Sequence, residues 1–192
     1  GLAVWASPPS VEALAVTKGW VFAMIHWALL LHFYQPPTQT PSVLRRICDE
    51  SYRPLVRLFR DHPTAKVTVN VSGSLTEMLA DQGADDVIAG LRGLAEQGRV
   101  ELVGSAKYHP ILPLIPADEV RRQIALNHET NRAHFGDVFA PRGFFPPEMC
   151  YSRDVVELIR EAGYNWTILS GIACPIDWPV DVIHCVGSRA GD

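Results

Sequence analysis

Apolar and polar positions follow two alternating rhythms along most of this chain. Trp27 to Phe33 is an apolar run halted at Tyr34-Gln35-Pro36-Pro37, which predicts a buried strand stopped by prolines. Ser42 can cap a helix through Val43, Leu44 and Ile47, and Pro54 divides it from a second stretch through Leu55, Leu58 and Phe59. Lys66 to Val71 is β-branched at alternate positions and reads as a second strand. Ser74 and Glu77 have capping-box spacing, which predicts a helix through Leu79, and another helix is expected from about Ala84 to Gln97. Arg99 to Ser105 reads as strand three and leaves through Ala106-Lys107-Tyr108-His109-Pro110. The long helix expected from Asp118 to about Phe135 is polar for a core element, so it should lie outside. Arg142 to Phe145 is a fourth strand. Val155, Leu158, Ile159 and Ala162 stand at helical spacing before Gly163, Asn165 to Leu169 is a fifth strand, and Val182 to Val186 offers a sixth.

Strands alternating with helices predict an α/β fold with parallel strands. The exits of strands one, three and four carry aromatic or ionisable residues. A barrel gathers such exits around one mouth, whereas an open sheet offers a single crevice, so an incomplete (β/α) barrel is expected. No G-x-G-x-x-G, P-loop or nucleophile-elbow pattern occurs, which disfavours a nucleotide enzyme or serine hydrolase.

The chain has 192 residues, enough for one sizeable core, and its composition of 47% hydrophobic and 20% charged residues is that of a globular domain. A net charge of -4 provides no basic stripe for a nucleic acid. Cys48, Cys150, Cys174 and Cys185 lack zinc-ribbon or C-x-x-C spacing, so reduced, packed thiols in a cytoplasmic protein are expected, with no metal and no cofactor. The apolar run Trp20 to Leu31 is shorter than the roughly 20 residues that span a bilayer, and no membrane partner is expected. Residues 1–23 show no periodicity. Because Met24 precedes the first strand, that segment is expected to be a non-native or disordered extension, and 24–192 the folded portion.

Candidate chemistry centres on Arg142-Gly-Phe-Phe-Pro-Pro-Glu-Met-Cys-Tyr151. Consecutive prolines cannot belong to a hydrogen-bonded central strand, so the backbone must leave the sheet and carry Glu148 over its edge. Stiff aromatic surroundings should fix and partly desolvate that acid. Each candidate has a bland alternative: Glu148 a surface loop glutamate, His32 a satisfied core histidine, His109 a loop histidine. Glu101 lies within strand three, where a carboxylate is costly unless paired, so it is expected to support His32 or an arginine from behind. Glu77 is expected to act only as the capping-box acid, and Asp177 as a turn residue. His128 and His134 are six apart on a helix, on different faces, which disfavours a shared metal.

Three segments together resemble glycoside hydrolase family 57. His32-Phe33-Tyr34-Gln35-Pro36 resembles its first motif, Gly98-Arg99-Val100-Glu101-Leu102 its second, and Phe145-Pro146-Pro147-Glu148-Met149-Cys150-Tyr151 its third. The resemblance covers about residues 25 to 192. It implies an incomplete seven-stranded (β/α) barrel acting on α-glucans, with Glu148 as the catalytic nucleophile of a retaining glycosidase or transglycosylase. Tyr34, Phe145 and Tyr151 would offer apolar faces to sugar rings, His32 and Gln35 would hydrogen-bond sugar hydroxyls, and His109 would line the site. Tyr34 stands where the family often has a second histidine, and Phe145 and Tyr151 stand where it often has tryptophan.

The family's general acid is an aspartate in a fourth motif, and no segment before Asp192 matches it. The 192 residues are therefore expected to be the N-terminal portion of such a barrel, truncated after five or six strands and nearly inactive alone. General acid catalysis contributes about 10²- to 10⁴-fold. Two other readings are a metal-dependent polysaccharide deacetylase and a non-catalytic carbohydrate-binding barrel. The first needs an aspartate and two histidines around a metal, and neither an Asp-Asp strand end nor an H-x-x-x-H pair is present.

Overall fold

The structure is a computed structural model that describes residues 27–173. The expectations for residues 1–23, Met24, Cys174, Asp177, the strand at 182–186 and Cys185 lie outside those residues. In chain order the elements are β1 (Leu30–Phe33), α1 (Pro41–Ile47), α2 (Arg53–Asp61), β2 (Val67–Val71), α3 (Gly73–Asp81), α4 (Asp85–Glu96), β3 (Val100–Val103), α5 (Ala117–Phe135), β4 (Gly143–Phe144), α6 (Arg153–Glu161) and β5 (Trp166–Thr167). A π-helical turn, Cys48–Tyr52, joins α1 to α2. Pro54 explains it: proline cannot donate to the carbonyl four residues back, and the widened turn lets the Arg53 amide reach the Cys48 carbonyl instead.

β1, β2 and β3 pair in parallel in that order, and so do β4 and β5. A parallel bridge between Gly104 and Phe144 links the two groups, with Gly104 N donating to Gly143 O and Phe145 N to Gly104 O, both at 2.8 Å. Each strand therefore neighbours the next in sequence. A doubly wound sheet would reverse its order part-way; among the described residues the order does not reverse. Gly104 and Gly143 occupy this seam because a Cβ at either would overlap the Tyr164 or Trp166 ring respectively.

Strand alternation then sorts the side chains. Leu31 and Phe33, Val67, Val69 and Val71, and Val100 and Leu102 face the helices and form the largest apolar core with Leu44, Leu75, Val87, Leu91 and Leu94. A second apolar cluster under α5 and α6 contains Phe144, Ile124, Leu158 and Tyr164. The opposite face carries Leu30, Val103, Phe145, Met149, Trp166 and Ile168, and among them the polar residues His32, Thr68, Asn70 and Glu101.

Three expectations need correction. The cap of α3 is Ser72, whose hydroxyl accepts from Leu75 N at 3.4 Å. Glu77 is therefore free of capping duty; it accepts from Lys107 Nζ at 2.6 Å and from Thr130 Oγ1 at 3.4 Å. α5 is not an outlying helix, because its polar residues are its docking surface. Asn127 Oδ1 accepts from Gly73 N at 2.8 Å, and Asn131 accepts from Thr76 Oγ1 at 2.6 Å while donating to Val71 O at 2.9 Å. Asn127 and Asn131 are wholly buried. The first strand is shorter than its apolar run: Trp27 lies before it and is 83% exposed.

Candidate active site

The C-terminal ends of β1, β3 and β4 bring His32, His109 and Glu148 together. His32 sits one residue from the end of β1, on the face opposite the helices, and Asn70 is its register partner on β2. His32 Nδ1 lies 2.7 Å from Asn70 Oδ1 and its Nε2 lies 3.0 Å from His109 Nε2. His109 Nδ1 is 3.7 Å from Glu148 Oε1. The rings of His32 and His109 stack at 4.9 Å, Phe145 stacks on His32 at 4.6 Å, and Tyr34 stacks on His109 at 4.2 Å.

The backbone is strained where these groups are presented. Glu148, Met149 and His109 have φ of 56°, 52° and 56°, the left-handed region that costs an L-residue roughly 1–2 kcal/mol. Such strain persists only where the surroundings impose it, and it clusters at working sites. At Glu148 the constraint is the rigid Pro146-Pro147 pair, followed by a single turn in which Met149 N donates to Pro146 O at 2.8 Å and Cys150 N to Pro147 O at 3.1 Å. At His109 it is a loop tied down on both sides. Lys107 N donates to Gln123 O and Ser74 N to Lys107 O, each at 3.2 Å, and Tyr108 N donates to Gln123 Oε1 at 3.1 Å. The Lys107 side chain is 9% exposed, and its ammonium pairs with Glu77.

Burial lowers the pKa of both histidines. For His32 the Asn70 contact and the Glu148 charge oppose that shift; for His109 the neighbouring His32 adds to it and Glu148 opposes it. The Tyr34 hydroxyl is pushed up by burial and by the Glu148 charge. Glu101 lies on the same face as His32 but two positions further down its strand, level with Thr68 and Leu30. Burial raises its pKa, while the charge of Arg142 and a hydrogen bond with Thr68 pull the other way. Of the two expected partners, the arginine is the one found near it; His32 is partnered by Asn70.

Other expectations fare differently. Glu148 reaches the site, but its side chain is 64% exposed, so the expected aromatic desolvation is not found and the proline pair alone fixes its turn. Phe145 is 6% exposed and packs under His32, which leaves no face for a sugar ring. Gln35 donates to Tyr52 Oη at 3.4 Å and accepts from Gln39 Nε2 at 3.1 Å, turned toward the helical side of its loop. Both ring nitrogens of His32 are engaged within the protein, so neither is spare for a hydroxyl. Tyr151 is half-buried and, among the described residues, joins none of the ring stacks of the site. Asn70 and Lys107 were not anticipated. Asn70 was legible as a polar residue at an inward-facing position of a β-branched strand, and Lys107 as a cation next to a candidate histidine. A groove of about 910 Å³ between α5 and α6, lined by Arg121, His128, Glu161 and Tyr164 among others, contains none of these residues.

The model of glycosyl hydrolase family 57 matches residues 22–184. This chain belongs to that family. It is 32% identical over 145 residues to an alpha-amylase of Pyrococcus horikoshii and 29% identical over 146 residues to a 4-alpha-glucanotransferase of Thermococcus kodakarensis, in each case across 76% of this chain and 22% of the relative. Over 67 residues, 34% of this chain and 10% of the relative, it is 45% identical to a 1,4-alpha-glucan branching enzyme of Thermococcus kodakarensis. The crystal structure of 4-alpha-glucanotransferase from Thermococcus litoralis superposes with a TM-score of 0.68 at 27% identity, covering 74% of this chain and 22% of that one. The chain thus spans about a fifth of the length of these full-length relatives. A family 4 carbohydrate esterase from Streptomyces lividans matches at a TM-score of 0.52 and 12% identity over 73% of this chain and 60% of its own, which is a likeness of fold alone. The deacetylase reading is accordingly set aside.

Proposed function

We propose that these residues carry the nucleophile side of a retaining α-glucan hydrolase or transglycosylase site, with Glu148 as the nucleophile. The observation that carries this reading is the strained turn that holds Glu148 beside His109 and, through it, His32, at the shared end of parallel strands. The family and the printed activities of the relatives, amylase, glucanotransferase and branching enzyme, supply the substrate class.

In the proposed reaction, a Glu148 carboxylate oxygen attacks carbon one of a glucosyl unit as the bond to the leaving oxygen breaks. A retaining site sets its second carboxyl group about 5–5.5 Å from the first, to protonate that oxygen. Glu101 does not suit this role, because it lies down the strand behind the histidines. The exposed side chain leaves the Glu148 carboxylate open to an incoming sugar. Tyr34, half-buried and stacked on His109, is the ring best placed to meet a sugar, and Glu101 acts as a supporting group. The five sequentially ordered parallel strands support an arc of the family's incomplete barrel, and the free thiol of buried Cys48 supports a reducing, cytoplasmic setting.

NMR mapping with maltoheptaose tests the substrate class and the site together. Shifts should concentrate at Tyr34, His109 and Glu148, and cellohexaose at the same concentration should leave them in place. Equal response to both sugars, or shifts confined to the α5–α6 groove, would refute the reading.

A further inference from the structure

Asn70 is wholly buried in β2, its Oδ1 is 2.7 Å from His32 Nδ1, and its Nδ2 is buried with no partner among the described residues. An amide oxygen only accepts, so the hydrogen of this contact belongs to His32 Nδ1. A neutral His32 then has a lone pair at Nε2. The 3.0 Å contact at that atom requires His109 Nε2 to donate. A neutral His109 bearing its hydrogen on Nε2 has its own lone pair at Nδ1, which faces the Glu148 carboxylate at 3.7 Å.

An added proton has one place to go. His32 Nε2 already accepts from His109, so protonating it would break that bond and set two donors against each other. At His109 Nδ1 a proton would instead meet a carboxylate oxygen. From this geometry we infer that Asn70 is a positioning residue: it fixes the tautomers of both histidines, so that His109 Nδ1 is the single proton-accepting atom of the pair and faces Glu148. A solvent-exposed histidine side chain favours the hydrogen on Nε2, so the Nδ1–H form of His32 is imposed by its partner.

The groups around His109 are His32 and Tyr34 from β1 and the segment after it, Glu148 from the turn after β4, and Lys107 from its own loop. The Lys107 charge is directed at Glu77 on α3. The His109 side chain, 4% exposed, favours its neutral form, in which the Glu148 carboxylate has no donor from His109. A proton on His109 would give the carboxylate a charged hydrogen-bond donor and temper its nucleophilicity; this last consequence rests on the function proposed above, whereas the tautomers do not.

Long-range ¹H–¹⁵N correlation spectra of the unliganded 192-residue chain, recorded above pH 7, read the tautomers directly. His32 should show hydrogen on Nδ1 and His109 on Nε2. On acidification the first nitrogen to protonate should be Nδ1 of His109. Asn70→Val, which suits a strand position and removes the accepting oxygen, should return His32 to the Nε2–H form. Asn70→Asp, which keeps the accepting oxygen, should retain Nδ1–H, and it serves if the valine variant does not fold. A wild-type His32 carrying hydrogen on Nε2 would overturn the inference, because the donors would then run the other way, from the Asn70 amide toward Glu148. First protonation at His32 would overturn it as well. Sugar is absent from these samples, so neither result depends on whether the chain binds α-glucans.

Discussion

The pair between Lys107 and Glu77 is asymmetric, and that asymmetry sets the outcome of a double-mutant cycle. The lysine side chain is 9% exposed and the glutamate side chain 43%, with their charged ends 2.6 Å apart. Removing the acid leaves the charge of a largely buried side chain without its counter-ion, and breaking a buried pair in this way costs about 3–5 kcal/mol. Because Glu77 is partly exposed, Glu77→Ala should fall at the low end, about 3 kcal/mol. Removing the lysine leaves an acid that can turn toward solvent and still accept from Thr130, and Lys107→Met keeps the apolar stem packed. Its cost should be nearer about 1 kcal/mol, the range of an exposed pair. The double variant Glu77→Ala/Lys107→Met should be more stable than Glu77→Ala alone. At about 2–4 °C per kcal/mol for a domain of this size, the acid variant should melt about 6–12 °C below wild type and the lysine variant about 2–4 °C below. Thermal melts followed by tryptophan fluorescence, with urea titrations in parallel, measure all four proteins. Lys107→Met proving as costly as Glu77→Ala, or the double variant proving the least stable, would refute the assignment of the penalty to a stranded ammonium.

Further outcomes follow from the seam and the inward face. Gly143→Ala puts a methyl group into the Trp166 indole and should destabilise by at least the 1–3 kcal/mol typical of overpacking, whereas Gly93→Ala, where the added group meets nothing within 4 Å, should raise stability; melts of the two variants provide the comparison. Burial raises the Glu101 pKa in the folded state, so the native chain holds that proton more tightly than the unfolded one. The resulting penalty is absent below the unfolded value of about 4.3 and grows as pH rises through the folded value. Glu101→Gln should therefore match wild type in melting temperature near pH 4 and exceed it at pH 7, and a gain confined to low pH would contradict this sign.

Much of the organisation was legible because it rests on periodicity and punctuation. The alternation in Lys66 to Val71 sorts Val67, Val69 and Val71 from Thr68 and Asn70, and proline pairs mark two of the exits where His32 and Glu148 emerge. Parallel strands share one carboxyl end, so residues at their exits converge without any long-range information. Partner-dependent features were not legible. The polar side chains of α5 read as solvent-facing, yet Asn127 accepts from the Gly73 amide at the start of α3 and Asn131 donates to the Val71 carbonyl at the end of β2, pairings invisible until α5 docks. Glu77 had the spacing of a capping acid, but Ser72 takes the cap and a lysine some 30 residues away takes the acid. Phe145 had the flanking position of a sugar-stacking aromatic, and alternation turns it under His32 instead. Left-handed backbone at His109, Glu148 and Met149 has no glycine to announce it.

The most direct test of Glu148 as nucleophile uses a substrate that needs no protonated leaving group. With α-maltosyl fluoride the fluoride departs with the bonding electron pair as the carboxylate oxygen bonds to carbon one, so the chain can form the glycosyl ester without a second acid. Mass spectrometry of peptides quenched at low pH should find one maltosyl group on Glu148 in the wild-type chain and none in Glu148→Gln. A label on another residue, or an unlabelled wild type whose fold is intact, would contradict the account.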